Sequence, residues 1–189
     1  MKSTGILIAS LLFLAGSAVS AQDYRADNSK SVVVWTGKKV SGKHYGKISL
    51  KEGSFTVKDN KIAAGKFVID MSSITCDDLT GSSNERLVGH LKSDDFFSTS
   101  SFATSTLTIT GSEPFKNSVA QVTGNLTIKD ITHPVTFTVK REGNTFSTIL
   151  AVDRTKYNVR YGSGKFFQNL GDNMIDDNFI IEVKIVAVL

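Results

Sequence analysis

The chain has 189 residues, with 22 Lys and Arg against 18 Asp and Glu and a formal net charge of +4. The charges are interspersed with no basic run, so nothing marks a nucleic-acid surface. No apolar stretch reaches the roughly 20 residues of a membrane-spanning helix, and a single cysteine, Cys76, excludes an intrachain disulfide.

The start reads as a targeting segment. Lys2 precedes an apolar run over residues 6–15, and Val19-Ser20-Ala21 offers small residues to a signal peptidase. Residues 1–21 are therefore expected to be a signal peptide, and residues 22–189 a single exported domain large enough for its own core.

Strand signals then recur with turn residues between them. Residues 31–36 form a β-branched run holding Trp35, and residues 47–57 follow, with Gly53 marking an expected bulge. Lys58-Asp59-Asn60-Lys61 reads as a hairpin turn into residues 62–71, where Phe67, Ile69 and Met71 share one face. A polar loop over residues 75–83 contains Cys76. Residues 84–91 are the one helical candidate: Leu87 and Leu91 lie four apart, and Ser83 or Asn84 is placed to cap the start. The helix runs out at Asp94-Asp95-Phe96-Phe97. A Thr-rich strand over residues 102–109 carries Phe102, Leu107 and Ile109.

The second half is more regular. Val122, Gly124, Leu126 and Ile128 alternate with polar residues, and residues 129–134 supply a turn. Val135, Phe137 and Val139 alternate with threonines, and residues 146–152 and 179–188 keep the same period. Period two over this many segments, with one helical interruption, predicts an all-β fold. We expect a closed antiparallel barrel of about eight strands with one short helical insertion, because closure removes hazardous edges. The terminal strand is apolar on both faces and should pair with residues 31–36.

Four blocks resemble one family. Residues 66–74 resemble its strand ending in Asp-Met-x-Ser-Ile, and residues 90–97 its His-Leu-Lys-Ser-x-Asp-Phe-Phe motif. Residues 122–135 are similar to its Gly-x-Leu-Thr-Ile-x-Gly-x-Thr-x-Pro motif. Asp153-Arg154-Thr155-Lys156-Tyr157 and Tyr161-Gly162-Ser163 match its late block. This is the YceI-like family of exported polyisoprenoid-binding proteins, and the resemblance spans nearly all of residues 22–189. Ala103 and Asp130 depart from the family's usual Pro and Gly. The resemblance implies a lipocalin-like barrel holding an isoprenoid or similar lipid, a periplasmic or secreted location, and a possible homodimer.

A polyprenyl cavity needs a continuous apolar lining with few polar groups at its mouth. The expected ligand-binding residues are Trp35, Phe67, Ile69, Met71, Leu91, Phe96, Phe97, Phe102, Leu107, Ile109, Leu126, Ile128 and Phe137, with Arg154 and Tyr157 toward the rim. Of Phe96 and Phe97, one ring should enter the cavity while the other packs against the wall. Arg154 could pair with Asp70, and Arg160 and Tyr161 are further rim residues. His44, His90 and His133 are scattered without zinc spacing. His44 reads as a turn histidine bonded to backbone, and Cys76 as an incidental thiol. Nothing asks for a cofactor, a metal or a catalytic group, so the chain is read as a binding protein and not an enzyme. The alternatives are an enzyme acting on a lipid or quinone, which would use His90 with Asp94 or Asp95, and a sensor or assembly partner using the outer surface.

Overall fold

A computed structural model describes residues 20–189. The expected signal peptide, apart from Ser20 and Ala21, lies outside these residues. Ten strands form one antiparallel sheet: β1 (Gln22–Ala26), β2 (Val32–Lys39), β3 (Gly42–Lys47), β4 (Ser49–Lys58), β5 (Lys61–Asp70), β6 (Thr104–Ser112), β7 (Val119–Ile128), β8 (Ile131–Glu142), β9 (Thr145–Asp153) and β10 (Asn178–Val188). Among the described residues one α-helix, α1 (Gly81–Lys92), sits between β5 and β6.

Ten strands make an eight-stranded barrel because two positions are shared. On one edge of β10, Lys184 to Ile180 pair with Val32 to Thr36 of β2, and Val188 and Ala187 pair with Arg25 and Ala26 of β1. Thus β1 and β2 occupy one position in succession. In the neighbouring position β3 pairs with β2 and β4 pairs with β1. The remaining strands follow in sequence order to β10, whose other edge pairs with β9 over Asn178–Val186. Both edges of β10 are thus paired along most of their length, as its apolar character demands, whereas β8 and β9 pair only over Val139–Glu142 and Thr145–Thr148.

The hairpin at Asp59-Asn60 forms, with both residues in the left-handed region that Asn and Asp tolerate. Lys129 and Asp130 turn the same way, so Asp130 serves where a glycine is usual. The expected bulge at Gly53 is displaced. Register shifts fall between Leu50 and Glu52 and between Thr56 and Val57, while Gly53 lies opposite Phe67, whose ring occupies the space a Cβ would need.

The helix begins earlier than expected, at Gly81, and Thr80 is its N-cap without a side-chain bond. Asn84 does not cap it; its amide donates to the Cys76 and Leu79 carbonyls and ties the preceding loop down.

The interior divides into two apolar clusters. One holds Tyr24, Phe55, Ile62, Phe115, Phe137 and Phe146 at the end of the short turns after β4, β6 and β8. The other holds Trp35, Met71, Leu91, Phe96, Phe97 and Tyr157 at the opposite end, where α1 and the segment between β9 and β10 cross the barrel.

Candidate functional site: an apolar cavity under the helix

The inward faces of the strands do not meet at the barrel centre, and a cavity of about 440 Å3 remains. Its wall follows the period-two pattern: Phe67 and Ile69 from β5, Leu107 and Ile109 from β6, Leu126 and Ile128 from β7, Phe137 from β8. Trp35 of β2 closes one side, and its indole N–H is satisfied by the Thr75 carbonyl at 2.9 Å, leaving the ring to the cavity. Met71, Leu91, Phe96 and Phe97 form the wall nearest the helix. Of the expected lining residues, Phe102 and Tyr157 stand apart. Phe102 lies in the turn before β6, half-buried and away from the cavity, and Tyr157 is buried behind the wall, edge-on to His133 at 5.3 Å.

Phe96 and Phe97 differ from the expected division of labour, because both rings border the cavity and both are buried. The alternation rule applies to strands, whereas this segment is a turn. The Phe96 amide bonds to Ser93, the Phe97 amide to Leu91, and Ser98 takes a positive φ. The rings pack edge to face at 5.3 Å, and Phe97 continues onto Phe179. The Lys129 ammonium, from the β7–β8 turn, donates to the Phe96 carbonyl at 2.9 Å and pins this corner. Burial lowers the Lys129 pKa, partly offset by Asp94.

Arg154 borders the cavity, yet its partner is not Asp70. Asp70 caps the turn Met71–Ser73 by accepting from the Ser72 amide at 2.9 Å. The guanidinium of Arg154, only 2% exposed, donates to four backbone carbonyls: Asp176 and Ile175 on one side, Val159 and Tyr161 on the other. Asp177 lies 3.8 Å away, and the Phe96 ring lies under the guanidinium at 5.6 Å. Burial pulls the Arg154 pKa down while Asp177, Asp153 and Asp176 oppose it. A side chain so occupied braces the β9–β10 segment and has little left for a ligand. Tyr161 lines the mouth and is half exposed, while Arg160 stacks on the exposed Phe166 at 4.8 Å.

Several cavity residues stand outside the expected lining, among them Phe55, Phe146, Phe179 and Ile181, although the last three lie in segments whose alternation was read. The one of chemical interest is His90. Its ring lies between Tyr161 at 4.4 Å and Phe96 at 5.4 Å and borders the cavity. Its Nε2 is buried with no hydrogen-bond partner, so no acid–base pair with the exposed Asp94 or Asp95 forms. A buried polar nitrogen beside an apolar cavity costs free energy until something bonds to it. His44 is not a turn histidine but part of β3, and its Nδ1 faces Asp78 at 2.7 Å.

A closed antiparallel barrel with an apolar interior cavity and a helical cover defines a lipocalin-like fold. The YceI-like domain family model matches residues 24–187, and the chain belongs to that family. Protein YceI of Escherichia coli O157:H7 is 30% identical, over 74% of this chain and 71% of that protein. Among solved structures, Burkholderia cenocepacia BcnA superposes with a TM-score of 0.68 at 22% identity, covering 87% of this chain and 99% of that one. A polyisoprenoid binding domain from Saccharophagus degradans superposes with a TM-score of 0.59 at 14% identity, covering 87% of this chain and 97% of that one.

Proposed function

We propose that this protein is an exported carrier that holds one long isoprenoid or similar amphiphilic lipid inside the barrel, for storage or transport outside the cytoplasm, and performs no chemistry on it. The observation that carries this reading is the cavity of about 440 Å3 walled by aliphatic and aromatic side chains from β5 through β8 and by Phe96 and Phe97. Such a wall rewards contact in proportion to buried area, about 25 cal/mol per Å2, and so favours long apolar ligands. The name of the Saccharophagus domain supports the same class of ligand, and the short apolar start ending in Val19-Ser20-Ala21 supports export. His90 Nε2 is the group we assign to the ligand's polar end. The test is mass spectrometry of solvent extracts from protein purified out of the exported fraction. A long-chain apolar molecule at about one per chain is expected. Protein that is empty, and that takes up none of a series of isoprenoid alcohols and quinones, would defeat the reading.

A further inference from the structure

Beside the cavity mouth, three side chains from two segments converge. Asp78 presents one carboxylate oxygen to His44 Nδ1 at 2.7 Å. Its other oxygen accepts from the Tyr45 amide at 2.9 Å and the Cys76 thiol at 3.3 Å. One candidate ligand atom from each of His44, Cys76 and Asp78 falls within a 4.8 Å group, and among the described residues no other trio of His, Cys, Asp or Glu is brought so close.

We infer that His44, Cys76 and Asp78 form a binding site for one divalent ion of the zinc class, with a fourth coordination position open toward the cavity mouth. The donor set fits. Thiolate, imidazole and carboxylate are all zinc ligands, and bonds of about 2.0–2.3 Å in a tetrahedron place ligand atoms about 3.3–3.7 Å apart. The observed spacings reach that arrangement with shifts on the order of 1 Å. A thiolate with an imidazole selects zinc over magnesium or calcium, which take oxygen donors. On binding, the Cys76 proton leaves to solvent, and His44 carries its proton on Nε2 so that Nδ1 is free to coordinate. The open direction follows from His44, which borders the cavity while Cys76 is buried behind it.

The backbone holding these groups is already fixed. The Cys76 carbonyl accepts from Asn84 at 2.7 Å, the Asp77 amide donates to the Tyr45 carbonyl at 2.8 Å, and the Thr75 amide donates to the Lys47 carbonyl at 2.9 Å. The loop lies against β3 so closely that a Cβ on Gly46 would sit 2.0 Å from the Thr75 carbonyl oxygen. Supports of this kind orient metal ligands and set their affinity. Burial and the hydrogen bond to Asp78 raise the Cys76 pKa.

The inference does not depend on what fills the cavity. Its test is titration of the purified, chelator-stripped and reduced protein with Zn2+ by calorimetry, and with Co2+ by absorption. Expected are one ion per chain, a Kd below about 1 µM, a thiolate-to-cobalt charge-transfer band, and a melting temperature raised by Zn2+. Cys76→Ser should abolish the band and weaken Zn2+ at least 100-fold, and His44→Ala should weaken it about as much. His133→Ala, remote from the site, should bind like the parent. Melts in chelator show whether each variant folds. A parent without stoichiometric binding, or binding that survives both Cys76→Ser and His44→Ala in folded protein, overturns the site.

Discussion

The two ends of this barrel are built from different materials. At the closed end, tight connections join the strands and aromatic rings fill the bore. Tyr24 stacks on Phe55 at 5.2 Å, Phe146 meets Phe55 edge-on at 4.8 Å, and Phe115 meets Phe146 at 6.3 Å. Arg141 covers this plug, lying over Phe146 at 5.3 Å and donating to the Tyr24 hydroxyl. At the open end, the connections over residues 71–103 and 154–177 are long, and they carry α1, His90, Arg154, Cys76 and Asp78. Ring-on-ring packing contributes stability through area and geometry. The open end has rings of its own in Phe96 and Phe97, and adds to them directed hydrogen bonds from a few polar side chains. We therefore expect closed-end changes to alter stability, and mouth changes to divide between stability and binding.

Arg154 and Phe115 should give the largest effects. Arg154→Met removes the donor to four carbonyls, the buried one of Val159 among them, and takes a buried guanidinium from its partners, so a loss of about 3 kcal/mol in urea unfolding is expected. Arg154→Lys should rescue little, because an ammonium lacks the planar fork that reaches both sides. Phe115→Ala, in the plug but outside the cavity, should cost about 3–5 kcal/mol, with lipid affinity close to the parent's. Equal loss of affinity would show that the two ends are not separable. Phe96→Ala and Phe97→Ala sharpen the contrast. Both rings face the cavity, so both variants should lose lipid affinity in titrations, where a division between one ring and the other would restore the simpler strand reading.

Smaller effects follow from His90 and from the carboxylates. His90→Phe keeps the ring packing and removes Nε2, so affinity for a lipid with a polar end should drop about 3–10-fold, the worth of one hydrogen bond. A hydrocarbon without that end should bind as before. Acid should weaken the fold in a defined window. Hydrogen bonds from Ser29 and Lys30 lower the Asp27 pKa from 3.8 to about 2. The Asp70, Asp78 and Asp153 values are also lowered: burial opposes ionisation at Asp78 and Asp153, but the hydrogen bonds outweigh it. A carboxylate with a lowered folded pKa stabilises the fold above its unfolded pKa and loses that contribution as pH falls through the folded value. Melting temperatures should thus be level above about pH 5 and fall between about pH 4 and pH 2. A fall centred near pH 6 would contradict this carboxylate account.

Much of this barrel was legible from alternation alone. Val122 and Ile128 face inward as their period requires, and β10 pairs where residues 31–36 were expected to receive it. Two strands were not counted because their own pattern is weak. In β1 only Tyr24 is buried, and β3 reads Gly-Lys-His-Tyr-Gly-Lys; both are strands because neighbours supply their hydrogen bonds. The polar half of the site was hidden for a related reason. Arg154 bonds to carbonyls, which every residue has, so its partners leave no trace in side-chain spacing. His44 and Asp78 lie 34 positions apart and meet only because Gly46 lets the loop settle on β3.

The central claim is that the space between the two ends is a lipid site, and chain length tests it most directly. A homologous series of isoprenoid alcohols, titrated against the parent protein, should bind with affinity that rises with length, by up to roughly fourfold for each buried methylene. The rise should level off once the cavity of about 440 Å3 is full. Leu107→Trp, which fills part of that space, should move the plateau to a shorter chain. Affinity that does not change with length in the parent, or a plateau that Leu107→Trp leaves in place, would contradict the account.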